Sequence, residues 1–394
     1  MNDAAHDLRI AARMAHIAPF EVMEIQTLAR ALEAEGRDVI HLEIGEPDFR
    51  TPEPVVEAAK RALDTERMFY TSALGLPQLR EAISGFYRTR YGVEVPAARI
   101  IVTAGSSAAL LLAFGVILDA GDEVLLADPG YPCNRHFIRT LGAVPRGIPV
   151  GPATRYQLDA RLAREHWGPR TRMAMVATPA NPTGTLVAPE ETRALAELAR
   201  EKRGTLLVDE IYHGLTYGVD AHTAAADGDD VFVVNSFSKY FQMTGWRLGW
   251  LVAPPHLVRT IETLAQNLYI SPSAVAQHAG IACFTPETLE IVEARRRELD
   301  ERRRYLVPAL ESIGFRVPVV PQGAFYVYAD CSAISTDSFG LARRILAEAH
   351  VAVTPGKDFG ANEPERHIRI AYTQPVARLE EAVGRIGKLL GKGS

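Results

Sequence analysis

Residues 233–250 have the sequence VVNSFSKYFQMTGWRLGW. An apolar run of the kind found in buried strands leads into Ser236, Ser238 and Lys239, and Arg247 follows the lysine by eight positions. Two hydroxyl groups and a guanidinium are suited to binding a phosphate, and a lysine beside them can form an imine with a carbonyl compound. Most lysines lie on the protein surface, so the meaning of this stretch depends on the rest of the chain.

Similar apolar runs recur and alternate with helix-like segments. They begin near residues 99, 122, 172, 205, 231 and 247. Continuous apolar strands spaced by helices indicate an α/β fold with a mostly parallel central sheet covered by helices on both faces. Ligands bind such sheets at the carboxyl ends of the strands. The residues that follow the strands here include Gly105, Ser106, Ser107, Tyr131, Asn181, Asp209, Tyr212, Ser236, Ser238 and Lys239.

The bulk composition excludes several classes of protein. The 394 residues suffice for two domains, and the net charge of −5 gives no basic footprint for nucleic acid. The longest apolar run, 108–118, is too short to span a bilayer, and the N-terminus lacks the long apolar region of a secretory signal. The cysteines, Cys133, Cys283 and Cys331, show neither metal-site nor disulfide spacing. We therefore expect a cytoplasmic protein without a metal, a nucleic-acid partner or a membrane anchor.

Each polar residue has an ordinary structural explanation when it is taken alone. Ser106 could cap a helix, Asp209 could cap the next one, and Asn181 could simply occupy a turn. Tyr131 could pack on the core, and Arg369 in the strand-like run 367–372 could face solvent. Together they supply an imine-forming lysine, a phosphate cradle, a carboxylate, a flat aromatic ring, an amide, a phenol and an arginine for a carboxylate. That inventory matches pyridoxal phosphate carrying an amino acid.

The chain resembles the fold type I pyridoxal-phosphate enzymes, specifically the class I/II aminotransferases. The resemblance runs from LEIGEPDF (42–49) to HIRIAY (367–372). Between these lie YTSALGLPQLREAI (70–83), PANPTG (179–184), DEIY (209–212), SFSKYFQMTGWRLGW (236–250), GAFY (323–326) and PGKDFG (355–360). Each motif is weak alone, but their order and spacing together are specific.

The resemblance implies catalytic roles for three residues. Lys239 is expected to hold the cofactor as a Schiff base and to move the proton between the substrate α-carbon and the cofactor. Asp209 is expected to pair with the pyridine nitrogen, and Tyr212 to donate, with Asn181, to the phenolic oxygen of the ring.

Binding roles follow from the same resemblance. Tyr131 is expected to stack on the ring, and Arg369 to bind the substrate carboxylate with Asn181 and the backbone of Gly45. The expected phosphate cradle consists of Ser106, Ser107, Ser236, Ser238 and Arg247. Tyr70 is expected to reach the phosphate of the neighbouring subunit, which implies a homodimer with shared active sites.

The domain organisation is expected to follow that of the family. A long charged helix near 285–314 precedes shorter strands and helices of α+β character. We expect an N-terminal segment (1–45) packing with the small domain, a large cofactor-binding domain (46–285) and a small C-terminal domain (286–394).

The expected activity is a ping-pong transfer of the amino group of an α-amino acid to a 2-oxo acid. A β-lyase or another reaction through the same carbanion stays open, because fold and cofactor do not fix the outcome. A ligand-sensing regulator is the alternative from another class of protein. The amino donor stays open as well: a dicarboxylate would need a second cation, for which Arg13 and Lys357 are candidates.

Overall fold

The computed structural model describes residues 9–392 of the chain. The first eight residues of the predicted N-terminal segment and the last two of the predicted small domain lie outside the described residues.

Within residues 9–392 the strands form one large sheet and two small ones. Their bounds are β1 (Ile40–His41), β2 (Ile100–Thr103), β3 (Glu123–Asp128), β4 (Val144–Pro149), β5 (Thr171–Ala177), β6 (Thr205–Asp209), β7 (Phe232–Ser236), β8 (Gly249–Val252), β9 (Tyr326–Asp330), β10 (Val351–Ala352), β11 (Thr354–Pro355) and β12 (His367–Ala371). The large sheet has the order β2-β8-β7-β6-β5-β3-β4. Pairings within it are parallel except those of β8, which runs antiparallel to both neighbours. The predicted mostly parallel sheet is confirmed.

The α-helices of residues 9–392 cover these sheets. Their bounds are α1 (Glu21–Ala34), α2 (Glu53–Thr65), α3 (Pro77–Tyr91), α4 (Ser106–Ile117), α5 (Pro132–Thr140), α6 (Ala160–His166), α7 (Pro189–Glu201), α8 (Val258–Tyr269), α9 (Ala274–Ile281), α10 (Pro286–Ser312), α11 (Ser338–Arg344) and α12 (Val376–Leu389). Several begin with proline in the first turn, where its missing N–H costs no helical hydrogen bond. Among residues 9–392, none of the helices combines the length and the apolar character needed to cross a bilayer.

The large sheet explains where the polar residues meet. Strands β2, β3, β5, β6 and β7 all point the same way, so the loops that follow them lie at one edge of the sheet. The interior strands β5, β6 and β7 are buried along most of their length, which fits their continuous apolar sequences. Burial of their apolar side chains therefore stabilises the strands, and the site residues lie in the loops at the carboxyl ends of these strands.

The edge strand β4 has no counterpart among the predicted strands. Its sequence VPRGIP contains two prolines and a glycine, and most of its residues are at least partly exposed. Proline is tolerated in a sheet mainly on an edge strand, where its missing N–H faces outward. The apolar pattern that reveals a buried strand is therefore absent here.

The N-terminal segment contacts the C-terminal part of the chain. β1 pairs in parallel with β10, and the backbone N–H groups of Glu21 and Val22 donate to the carboxylate of Asp358 at 2.7 and 2.9 Å. A second small sheet has the antiparallel order β11-β12-β9. The domain boundaries near 45 and 285 stay a prediction, and these contacts support it.

Candidate active site

A cavity of about 340 Å³ opens at the carboxyl edge of the large sheet. Its wall brings together eleven of the predicted site residues: Gly45, Ser106, Ser107, Tyr131, Asn181, Asp209, Tyr212, Ser238, Lys239, Arg247 and Arg369. These residues come from seven separate segments of the chain, so the sheet topology rather than sequence proximity assembles them.

Lys239 lies in the turn after β7, with its side chain on the cavity wall. Its Nζ donates a hydrogen bond to the carbonyl oxygen of Gly45 at 2.6 Å. Burial lowers the pKa of Lys239 to about 8; the nearby Glu46 opposes this shift and the Arg369 guanidinium adds to it. A substantial fraction of the amine is therefore neutral near pH 8, as a nucleophile or a proton acceptor requires.

Asp209 is the last residue of β6 and is only 4% exposed. One carboxylate oxygen accepts the backbone N–H of Ile211 at 3.1 Å. Burial raises the pKa of Asp209 to about 7, while the Ile211 N–H and the charge of Lys239 act in the opposite direction. A buried carboxylate with so few donors is suited to pair with a cation, and a protonated pyridine nitrogen would satisfy it.

An anion-binding arrangement lies at the start of α4. Gly105 precedes the helix with a φ of +78°, and a Cβ at this position would overlap the Arg247 guanidinium. The glycine thus lets a guanidinium approach the helix N-terminus, where backbone N–H groups are free. With Ser106, Ser107 and Ser238 also on the wall, the donors here fit a phosphate group.

Two predicted residues do not lie on the cavity wall. The Ser236 hydroxyl accepts the backbone N–H of Ser238 at 3.0 Å and is buried behind the wall. This hydrogen bond helps to hold the turn that carries Ser238, and the expected contact of Ser236 with the phosphate stays a prediction. Tyr70 is 82% exposed and neighbours the exposed Phe69. Its predicted role belongs to a neighbouring subunit, so its place outside this cavity leaves that role a prediction.

Arg369 lies in β12 and is held from several sides. Its guanidinium donates to Asn181 Oδ1 at 3.0 Å, to the carbonyl oxygen of Glu43 at 2.6 Å and to Thr354 Oγ1 at 3.3 Å. Its buried Nε finds no partner among the described residues. An arginine whose position is fixed by these hydrogen bonds, and whose Nε–H is still free to donate, is suited to bind a carboxylate.

Tyr326 is a site residue that sequence reasoning missed, although the GAFY motif contains it. Its hydroxyl lies 3.0 Å from that of Tyr212, and its ring centroid lies 4.3 Å from the guanidinium carbon of Arg369. A motif match identifies a segment, but only the fold shows which of its side chains turns into the cavity.

The N-terminal helix contributes a further part of the wall that the sequence did not reveal. Phe20, Val22, Met23 and Gln26 line the cavity, and Phe359 does so from the C-terminal part of the chain. Helix α1 lies within the predicted N-terminal segment, residues 1–45. The face that it turns toward the site depends on long-range packing, which has no local signal.

The comparisons with known proteins identify the family of the chain. The family model for aminotransferase class I and II matches residues 37–386. A valine–pyruvate aminotransferase of Mycobacterium tuberculosis is 40% identical over 97% of this chain and 98% of its own length. A (5-formylfuran-3-yl)methyl phosphate transaminase of Methanocaldococcus jannaschii is 36% identical over 96% and 99%.

A solved structure extends the comparison to the fold. The crystal structure of an aminotransferase from M. tuberculosis superimposes with a TM-score of 0.94 at 40% identity, covering 98% of this chain and 99% of the other. Sequence and architecture match together over nearly the whole chain. The chain belongs to the class I and II aminotransferase family, with the fold type I architecture, and is a transaminase.

Proposed function

We propose that this transaminase holds pyridoxal 5′-phosphate in the cavity at the carboxyl edge of the sheet, attached through Lys239. The observation that carries the proposal is the arrangement of three groups around one cavity. A buried amine, a buried carboxylate and a phosphate-sized cradle match the aldehyde, the pyridine nitrogen and the phosphate of one molecule. The family depends on this cofactor, and the donor set in this chain fits it.

The residues of the chain then have defined tasks. The bound cofactor supplies an electron-accepting ring that makes the α-proton of an amino acid removable. Asp209 keeps the ring nitrogen protonated, because a buried carboxylate is stabilised by an adjacent cation. Arg369 would bind and orient the substrate carboxylate, and the Lys239 amine would carry the proton between the substrate α-carbon and the cofactor.

We infer that the amino donor and acceptor carry neutral side chains. Among the described residues of the wall, the lysines and arginines are Lys239, Arg247 and Arg369, and each has a task above. Neither cation candidate from the sequence joins them: Arg13 is exposed, and Lys357 pairs with Glu21 at 2.8 Å with 61% of its side chain exposed.

The rest of the wall supports a neutral side chain. Val22, Met23 and Phe359 present apolar groups, and a carboxylate placed among them would lose hydration without gaining a cation. The M. tuberculosis relative, described as acting on valine and pyruvate, supports the same class of substrate. Transfer to a 2-oxo acid is favoured over the β-lyase reaction, since these relatives are transaminases.

Leucine and aspartate form a nearly isosteric pair that tests this substrate class. We expect kcat/KM to be about tenfold or more higher for leucine, because a charged side chain finds no partner in the pocket. A Met23→Arg variant should narrow the difference by adding a cation at the wall. The measurement is a donor screen with pyruvate as acceptor. Aspartate exceeding every neutral donor in the wild-type protein would contradict the inference.

We further propose a homodimer in which Tyr70 reaches the phosphate of the partner's site. Phe69 and Tyr70 are 70% and 82% exposed, which is unusual for large aromatic side chains unless a partner covers them. Two-fold symmetry then produces two identical composite sites. We also propose that the protein is cytoplasmic. The chain is further proposed to divide into three parts, with boundaries at residues 45 and 285.

Subunit complementation tests the shared site. Lys239→Ala and Tyr70→Arg variants are each expected to be inactive, but unfolding and refolding them together should restore about a quarter of the sites. Half of the dimers are then mixed, and one of the two sites in each mixed dimer combines an intact Lys239 with an intact Tyr70. The variants refolded separately serve as the control. Recovery no greater than in that control would place Tyr70 outside the partner's site.

A further inference from the structure

Tyr326 connects two parts of the candidate site that otherwise lie on separate elements. It is the first residue of β9, is 1% exposed and lies on the cavity wall. Its hydroxyl lies 3.0 Å from the hydroxyl of Tyr212, which follows β6. The space for that hydroxyl depends on Gly45, since a Cβ there would lie 2.6 Å from the Tyr326 oxygen.

The ring of Tyr326 makes a second, independent contact. The Arg369 guanidinium carbon lies 4.3 Å from its centroid and 5.0 Å from that of Phe359. A cation over an aromatic face is attracted by the ring, and the attraction grows when both groups are buried. Arg369 is 5% exposed, so the two rings limit its position while the hydrogen bonds fix its orientation.

We propose that Tyr326 is a positioning residue that acts through two separable parts of one side chain. Its hydroxyl sets the hydrogen-bonding direction of Tyr212, and its ring holds Arg369 in place for the substrate carboxylate. This inference rests on the proposed function, in which Tyr212 faces the phenolic oxygen of the cofactor and Arg369 binds substrate.

The hydroxyl contact has a preferred direction under that assignment. Tyr212 can donate to the cofactor only if its own proton is not given to Tyr326, so Tyr326 must be the donor to the Tyr212 oxygen. Accepting a hydrogen bond makes a hydroxyl a stronger donor, since hydrogen bonds in a chain polarise one another. Loss of the Tyr326 hydroxyl should therefore weaken the donation from Tyr212 to the cofactor.

That weakening has a predictable spectroscopic sign. The phenolic oxygen carries most negative charge when the nitrogen of the Lys239 linkage has lost its proton. Donors to that oxygen favour the deprotonated form and lower the pH at which the linkage titrates. Tyr326→Phe should therefore raise the midpoint of the absorbance titration of the bound cofactor, by about half a pH unit. Because Phe keeps the ring, the affinity for carboxylates should be unchanged.

Removal of the ring should give the complementary result. Tyr326→Leu leaves Arg369 without one of its two aromatic neighbours, so we expect the Kd of 4-methylpentanoate to rise about tenfold. This acid lacks an amino group, so it reports binding at Arg369 without turnover. In steady-state kinetics, Phe should affect mainly kcat, whereas Leu should raise KM as well.

Tyr217→Phe provides a matched control. Tyr217 is also a buried tyrosine, 2% exposed, and its hydroxyl donates to the carbonyl oxygen of Ala324, away from the cavity wall. Its loss should leave the absorbance midpoint and the Kd unchanged, while the melting temperature reports any general effect of removing a buried hydroxyl.

The outcomes separate this inference from the proposed function. A wild-type protein that shows no cofactor absorbance would overturn the proposed function itself. A normal wild-type titration with an unshifted Tyr326→Phe midpoint would overturn the role of the hydroxyl alone. An unchanged Kd in Tyr326→Leu, with its fold confirmed by circular dichroism, would overturn the role of the ring.

Discussion

Lys239→Ala should lower the transamination rate by roughly 10⁴-fold, the upper range for losing a general acid–base group, because the covalent attachment is lost as well. The buried amine of Lys239 has a pKa lowered to about 8, and it lies on the cavity wall with the Asp209 carboxylate and the Arg369 guanidinium. No other lysine is found among the described residues of this wall. The measurement is the single-turnover rate with a neutral amino acid and added cofactor.

Lys60→Ala is the control for this substitution. Lys60 is 62% exposed and pairs with Glu57 on the surface of α2. Its removal should leave the rate within a factor of two, since exposed ion pairs contribute little. Retention of near wild-type turnover in Lys239→Ala would exclude Lys239 as the catalytic amine.

Asp209→Asn should lower turnover by about a hundredfold or more, the usual effect of losing one preorganised electrostatic partner. The amide keeps the shape of the carboxylate but cannot hold a positive charge on the ring nitrogen. Cofactor occupancy should fall far less than turnover, because the phosphate cradle and Lys239 remain. Turnover equal to that of the wild-type protein would remove Asp209 from this role.

The same substitution should have opposite effects on stability with and without the cofactor. A carboxyl group whose pKa is raised by folding stabilises the fold while it is protonated. This stabilisation is lost as the pH rises from about 4, the pKa of the carboxyl group in the unfolded chain, through about 7, its pKa in the folded protein. At pH 8 and without cofactor, the Asp209→Asn variant should therefore have a higher melting temperature than the wild-type protein. With cofactor bound, the wild-type protein gains an ion pair that the variant lacks, and the order should reverse.

Glu210→Gln is a matched control, because Glu210 is the adjacent carboxyl group and is also buried. Burial raises the pKa of Glu210 to about 8, but its carboxylate accepts hydrogen bonds from Thr223 and Ala224 and does not line the cavity. We expect Glu210→Gln to change the melting temperature, but the order of variant and wild-type protein should be the same with and without cofactor. A reversal in both variants would attribute the effect to buried charge in general rather than to contact with the ring.

The sequence was sufficient for the residues that follow buried parallel strands. Asp209 and Lys239 come at the ends of apolar runs, and parallel strands bring such ends to one edge of a sheet. The fold class was predicted from the alternation of apolar strands and helices, and the aminotransferase family from a resemblance carried by motifs; both are confirmed. The direction of a strand could not be predicted from the sequence. Strand β8 is antiparallel to both neighbours, but burial on both faces gives a strand the same apolar pattern in either direction.

The parts that sequence could not supply depend on long-range packing. Val22 and Met23 reach the cavity because the carboxylate of Asp358, far along the chain, accepts the first N–H groups of α1. Ser236 and Ser238 look equivalent in the motif, but β7 ends at Ser236 and the chain bends after it, so only Ser238 lies on the wall. Side-chain direction at a turn therefore decides a role that residue type alone leaves open.

Borohydride reduction followed by peptide mass spectrometry tests the central claim most directly. The reaction converts an imine into a stable secondary amine, so the cofactor stays on the lysine to which it was attached. We predict loss of the near-visible absorbance and a single modified peptide containing Lys239, with none in protein stripped of cofactor. Modification at a different lysine, or reduction that leaves Lys239 unmodified, would contradict the account.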